Sequence, residues 1–338
     1  MSNAAPNMPV LSRTADLRLL YLDTSFFVEL ERGFSVQSEL ARKLGELTET
    51  VPLCLSFITI AELARGKRSG DLNAMARFLD GLRPRWLRPE NEIAAQEARS
   101  YLLSPVNGPF GACDPVDSSI YGAFRRKLMR DENLDLVTDN ANIETFFRQI
   151  QNSAEGRELV SGLSSACGPF ILRLQDDRRS NHPFRENSRA GREHTDRKLL
   201  VSIKAHIAQQ AQEAATKGDL TVRLQKVGSL YLPAATAGTE PEISDIPKFP
   251  AQFLGHEFTH FRSDVYEEMN ENNLKAMASG EVGDYFHTVG AAYCEFFSCD
   301  KRVGAAIAGG RARLGLRPPF VTVQRGALGL LEDIEKCL

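Results

Sequence analysis

Four carboxylates stand where short apolar runs end or where the next helix begins. Asp23 closes the run at 17–23 (LRLLYLD), and Glu62 follows the run at 52–59 (PLCLSFIT). Asp284 opens a helical pattern at 284–293, and Asp300 closes the run at 295–300 (EFFSCD). Carboxylates gathered in one place repel each other unless a cation neutralises them. A divalent cation held by such a group binds phosphate oxygens, activates water and stabilises the leaving oxygen. The chemistry on offer is therefore metal-assisted phosphodiester hydrolysis. Each acid also has an ordinary structural explanation. Asp23 and Asp284 suit helix starts, Glu62 a first helical turn and Asp300 a turn. The ordered set carries the argument, because in a parallel sheet ligands sit beyond the carboxyl ends of the strands.

The elements that would position these acids follow from apolar spacing. Buried strands are expected at 17–23 and 52–59, and a helix at 60–65 carrying Glu62. Apolar positions Val36, Leu40, Leu44 and Leu47 have helical spacing over 34–48. Further helices are expected at 71–82 and 90–103, with a turn at 84–89 between them. The alternation of strand and helix predicts a parallel α/β sheet. The middle changes texture: helical patterns fill 118–130, 143–157 and 199–217, and 234–250 reads as a linker. The end regains α/β texture, with helices at 251–271, 284–293, from 303 and at 327–338, and strands at 295–300 and 320–323. The organisation expected is one α/β domain formed by residues 16–103 and 246–338, with a mainly helical insertion at 104–245.

Three strings resemble the PIN-domain nucleases: YLDTSFF at 21–27, SFITIAELARG at 56–66 and GDYFHTVGAAYCEFFSCDKR at 283–302. That family has a first Asp with a nearby Ser or Asn, a Glu in an apolar-x-x-Glu-Leu context, a third Asp at a helix start and a closing Thr/Ser-x-Asp. The resemblance puts Asp23, Glu62, Asp284 and Asp300 in the four acidic positions, as metal ligands and catalytic residues. Ser25 and Ser298 take the small hydroxyl positions, and Glu281 and His287 stand as additional ligands or as groups that hold the ligands in place. It implies a three-layer α/β/α sandwich with a central parallel sheet. It further implies Mg²⁺ or Mn²⁺ as cofactor, and an RNA substrate cut to leave a 5′-phosphate and a 3′-hydroxyl. A protein inhibitor or antitoxin as partner, and self-association into a homo-oligomer, stay open. The strings cover about residues 16–70 and 245–308. The 222 positions between Glu62 and Asp284 exceed the compact spacing of the family.

A rival motif stands at His256-Glu257-Phe258-Thr259-His260, which matches the zinc-peptidase pattern H-E-x-x-H. On a helix the two histidines share a face and could bind zinc while Glu257 activates water, with Glu281 as a third ligand. The helical wheel weighs against this. Leu254, Phe258, Phe261 and Val265 make one apolar stripe, which sends His256 and His260 toward the opposite, solvent-facing side. A non-catalytic protein that keeps a PIN-like fold is the other alternative.

Residues 173–198 hold eight Arg or Lys against five acids, with His182 and His194 among them. A solvated charged loop and a phosphate-contacting patch that guides RNA are equally open. Trp86, amid Arg83, Arg85 and Arg88, reads as a core residue before a base-stacking one. The bulk numbers bound the rest. The chain has 338 residues, 42% of them hydrophobic, which suffices for a substantial core. A net charge of −3 argues against a polybasic nucleic-acid binder. Six scattered cysteines without a C-x-x-C pair suit a reduced, cytoplasmic setting. No signal-peptide pattern and no apolar run long enough for a membrane are visible.

Overall fold

The computed structural model describes residues 18–32, 34–35, 37–65, 72–107, 115–120, 142–152, 154, 189–216, 241–267, 283–288, 290–299, 301–314 and 326–338. Among the described residues five strands form one sheet: β1 (Leu20–Tyr21), β2 (Leu53–Ser56), β3 (Arg85–Leu87), β4 (Val116–Asp117) and β5 (Phe296–Phe297). Their order is β4-β3-β2-β1-β5. β1 pairs in parallel with both β2 and β5, and β2 with β3, whereas β4 runs antiparallel to β3. The wholly parallel sheet expected from the sequence is thus corrected at one edge. An edge strand has one neighbour, so its direction is less constrained than that of a central strand.

The short strands are apolar on both sides because both faces are covered. Along β1, Leu20 and Leu22 join one buried cluster, and Leu19 and Tyr21 the other. The same alternation runs through Leu53, Cys54 and Leu55, and through Phe296 and Phe297. This is the two-residue period of a strand buried on both faces.

One face carries α1 (Thr24–Arg32), α2 (Glu39–Thr50), α3 (Phe57–Arg65), α4 (Leu72–Gly81), α6 (Ile143–Asn152) and α10 (Gly326–Glu335). The other carries α5 (Glu90–Asn107), α7 (Arg189–Thr216), α8 (Pro250–Glu267) and α9 (Lys301–Arg313). Each helix buries residues at helical spacing, such as Ala41, Leu44 and Leu47 of α2 or Leu199, Ile203 and Ile207 of α7. Burying one such side chain contributes about 1.5–3 kcal/mol, so packing on the sheet outweighs helix propensity. Ser38 caps α2, accepting from the Ala41 N–H at 3.3 Å. Glu29 of α1 accepts from the Ala327 N–H at 3.0 Å, holding the start of α10. Gly326, just before Ala327, has φ +80°, where a side chain would be strained.

Several expectations shift. The turn expected at 84–89 contains β3. Its three residues lie between Pro84 and Pro89, and Trp86 packs in the core with 3% exposure. The expected 34–48 helix runs instead from Glu39 to Thr50, and α1 occupies the residues after Asp23. The stretch 104–245 contributes β4, α6 and α7, whose apolar residues belong to the two clusters on the sheet. The strand expected at 320–323 lies outside the described residues. Among the described residues Cys54, Cys294 and Cys337 are free thiols. No helix among the described residues is long and apolar enough to cross a membrane.

Candidate active site

Strand order fixes where a site can form. From β1 the chain passes to β2 through α1 and α2, which cover one face. It reaches β5, on the other side of β1, after α7 and α8 have covered the opposite face. The sheet therefore reverses its winding at β1, the position at which α/β sheets form their ligand crevice beyond the carboxyl ends of the strands. Asp23 lies two residues past β1, Glu62 sits in the second turn of α3 after β2, and Ser298 follows β5 directly.

Asp23 is half-buried, and its Oδ2 accepts from Ser25 Oγ at 3.0 Å. The hydroxyl of Ser25 thus braces the carboxylate, as its position in the sequence suggests. Glu62, also half-buried, accepts at Oε2 from the hydroxyl of Thr24 and from His287 Nε2 at 3.2 Å. A carboxylate offers only acceptors, so the imidazole proton on this side belongs to Nε2. His287 Nδ1 lies 2.5 Å from Tyr21 Oη, which in turn lies 2.7 Å from Ser56 Oγ and 3.4 Å from Thr59 Oγ1. Burial opposes a charge on His287, but Tyr21, Glu62 and Asp23 favour it and raise it well above the usual histidine range. Burial holds the Tyr21 phenol above its ordinary value.

The helical segment at 283–288 brings in the remaining groups. Gly283 packs so closely on Glu62 Oε1 that a Cβ there would overlap the carboxylate. Asp284, the next residue, is half-buried. Tyr285 donates to Glu90 of α5, which ties the segment to the sheet from its other side. Ser298 Oγ is buried and has no hydrogen-bond partner among the described residues. Asp300 and Glu281 lie outside the described residues. Among the described residues no group of three or more His, Cys, Asp or Glu side chains stands ready to hold a metal ion.

The structure thus brings Asp23, Ser25, Glu62 and His287 to one crevice and sets the Asp284 backbone beside it. Sequence reasoning missed Tyr21, Ser56, Thr59 and the bond from Thr24. The available signal was one phenol inside an apolar strand, facing a strand-to-helix junction with two hydroxyls.

The H-E-x-x-H helix forms as α8, with Leu254 and Phe258 in the core. Its polar face is not open, which corrects the solvent-facing placement of His256. His256 is half-buried and donates from Nε2 to Thr195 O at 3.1 Å. Glu257 is buried and pairs with Arg313 at 2.5 Å, while Arg313 also reaches Asp196 at 2.8 Å. α7 and α9 occupy the side on which a zinc cleft would have to open. The His260 side chain is outside the described residues, as is all of His182 and the side chain of His194. At the end of the Arg-rich stretch, Arg197 pairs with Glu193 at 2.7 Å.

Comparison of the chain with protein-family models, curated proteins and solved structures finds no match.

Proposed function

We propose that this chain is a metal-dependent endoribonuclease with a PIN-like, three-layer α/β/α arrangement. One observation carries the reading: Glu62, placed after β2, meets His287 of the distant 283–288 segment beside the end of β1, where Asp23 follows the strand. Acids from one end of the chain and a conjugate partner from the other meet where an α/β sheet binds ligands.

Asp23 and Glu62, with Asp284 and Asp300 as the further acids, would hold Mg²⁺ or Mn²⁺. The donor set fits in kind, since carboxylate oxygens braced by hydroxyls suit hard cations, and Ser298 Oγ is a buried polar atom with no partner among the described residues. When bound, the cation supplies Lewis-acid polarisation of the phosphodiester and lowers the pKa of water. The protein's own part is positional. Thr24 and His287 hold the Glu62 carboxylate from two sides, Ser25 holds Asp23, and Gly283 leaves room for Glu62 Oε1. The product expected is an RNA fragment with a 5′-phosphate and its partner with a 3′-hydroxyl.

A second reading, a binding protein that keeps the crevice without the reaction, draws on the missing three-ligand group among the described residues. The Asp23→Asn, Asp300→Asn double variant, assayed on single-stranded RNA with Mn²⁺, separates the two. Cleavage by the wild type that the double variant abolishes supports the nuclease. Equal rates for both proteins, or no cleavage by either, reject it.

A further inference from the structure

Tyr21 is wholly buried, yet its hydroxyl is engaged on both sides. Ser56 Oγ, 2.7 Å away, and Thr59 Oγ1, 3.4 Å away, stand behind it, and His287 Nδ1, 2.5 Å away, stands in front. Ser56 and Thr59 are themselves fixed. Ser56 ends β2, accepts from the Thr59 N–H at 3.2 Å and lies 3.1 Å from the Thr59 hydroxyl at the start of α3. The Tyr21 ring is clamped as well: it stacks on Phe297 of β5 at 5.3 Å with 8° between planes, and Gly290 allows the chain to press against its other edge. A ring held this way has one place for its oxygen.

We propose that Tyr21 is a positioning residue of this site, whose anchored hydroxyl sets the His287 ring so that Nε2–H is donated to Glu62. The inference rests on the reading of Glu62 as a metal ligand. A buried phenol needs only one partner to be satisfied, and Ser56 already provides it. The second contact, to His287, aligns the chain Ser56–Tyr21–His287–Glu62 from the sheet to the crevice. Whether His287 is neutral or charged, its Nε2 proton faces the carboxylate, because Glu62 can only accept. Outer partners of this kind orient ligands, and their removal typically costs about 10–100-fold in metal affinity.

The test is Tyr21→Phe in the full chain, which removes the oxygen and keeps the ring on Phe297. Two readouts are taken. The first is the ¹⁵N spectrum of histidine-labelled, metal-free protein, with the His287 signals identified by their loss in His287→Gln. The second is Mn²⁺ affinity by electron paramagnetic resonance of the free ion. The expected result is displaced His287 ring-nitrogen shifts together with Mn²⁺ affinity weakened roughly 10-fold or more. Unchanged His287 shifts, or displaced shifts with unchanged Mn²⁺ affinity, overturn the inference and leave the nuclease reading standing. If the wild type does not take up Mn²⁺, the nuclease reading fails instead, and the His287 shifts alone decide whether Tyr21 positions the ring. Should Tyr21→Phe not fold, Thr59→Val removes one hydroxyl behind Tyr21 in an almost isosteric change. It should displace the same signals by less, and no displacement there overturns the inference.

Discussion

Glu62 Oε2 and His287 Nε2 stand 3.2 Å apart although 225 positions separate them in the chain. The contact is made possible by the absence of a side chain at Gly283. Gly283→Ala places a methyl group where Glu62 Oε1 now lies, so the carboxylate must turn away. We expect Mn²⁺ affinity and any RNA cleavage to fall by roughly 10-fold or more, with the unfolding midpoint lowered only slightly. Retained affinity would show that Glu62 keeps its role from another rotamer.

Ser298 gives a prediction of opposite kind. Its buried hydroxyl has no partner among the described residues, so we expect the metal-free fold to gain little from it. Ser298→Ala should leave metal-free stability unchanged or raise it by up to about 1 kcal/mol, measured by urea unfolding. The same variant should bind Mn²⁺ more weakly if the hydroxyl serves the site. A clear loss of metal-free stability would mean that Ser298 has a structural partner.

Glu97 governs stability against pH at a distance from the crevice. It accepts from Ala251 N at 2.8 Å, from Tyr293 Oη at 2.6 Å and from Gln252 Nε2 at 3.3 Å, so it holds the first turn of α8. Burial raises its pKa from 4.5 to about 7, although its hydrogen bonds work the other way. The unfolded chain releases this proton near pH 4.5 and the folded one near pH 7. Between those values the folded state holds more protons, so stability falls as pH rises and levels off above about 7. The full effect is on the order of 3 kcal/mol. Glu97→Gln should flatten this part of the profile in urea unfolding from pH 4.5 to 8. An unaltered slope would place the pH dependence elsewhere.

Glu257 separates a structural from a catalytic use of the H-E-x-x-H helix. Glu257→Ala removes a partner of Arg313 and leaves Asp196 to hold the guanidinium. Stability should drop by about 1–3 kcal/mol, and zinc content by metal analysis should be negligible in both proteins. Stoichiometric zinc in the wild type, lost on His256→Ala, would reinstate the peptidase.

Much of the scaffold was legible. The runs LRLLYLD and PLCLSFIT announce β1 and β2 because strands covered on both faces are apolar throughout. Asp23 and Glu62 could be placed at strand ends for the same reason. β3 was hidden because three residues between two prolines carry no usable period, and β4 because two residues carry none at all. α1 entered only as the helix that Asp23 could cap, although Phe26, Phe27 and Leu30 share a face, since the strand signal just before it dominated. The contacts of Tyr21 lay beyond reach. Its place in the strand is readable, but the meeting of its hydroxyl with Ser56 and His287 depends on a sheet order that no local pattern encodes. The burial of Glu257 escaped for a similar reason: a wheel shows which face is polar, not what packs on it.

The pairing of β1 with β5, reinforced by the Arg18–Glu295 ion pair across 277 positions, has a consequence for biogenesis. A central strand must wait for a neighbour synthesised almost a whole chain later, and closing so long a loop is entropically slow. A nascent polypeptide still short of β5 exposes one edge of β1 and lacks a wall of the crevice. Assembly of the pocket is therefore among the last events of maturation, and ribosome-bound intermediates should lean on chaperones until that edge is covered.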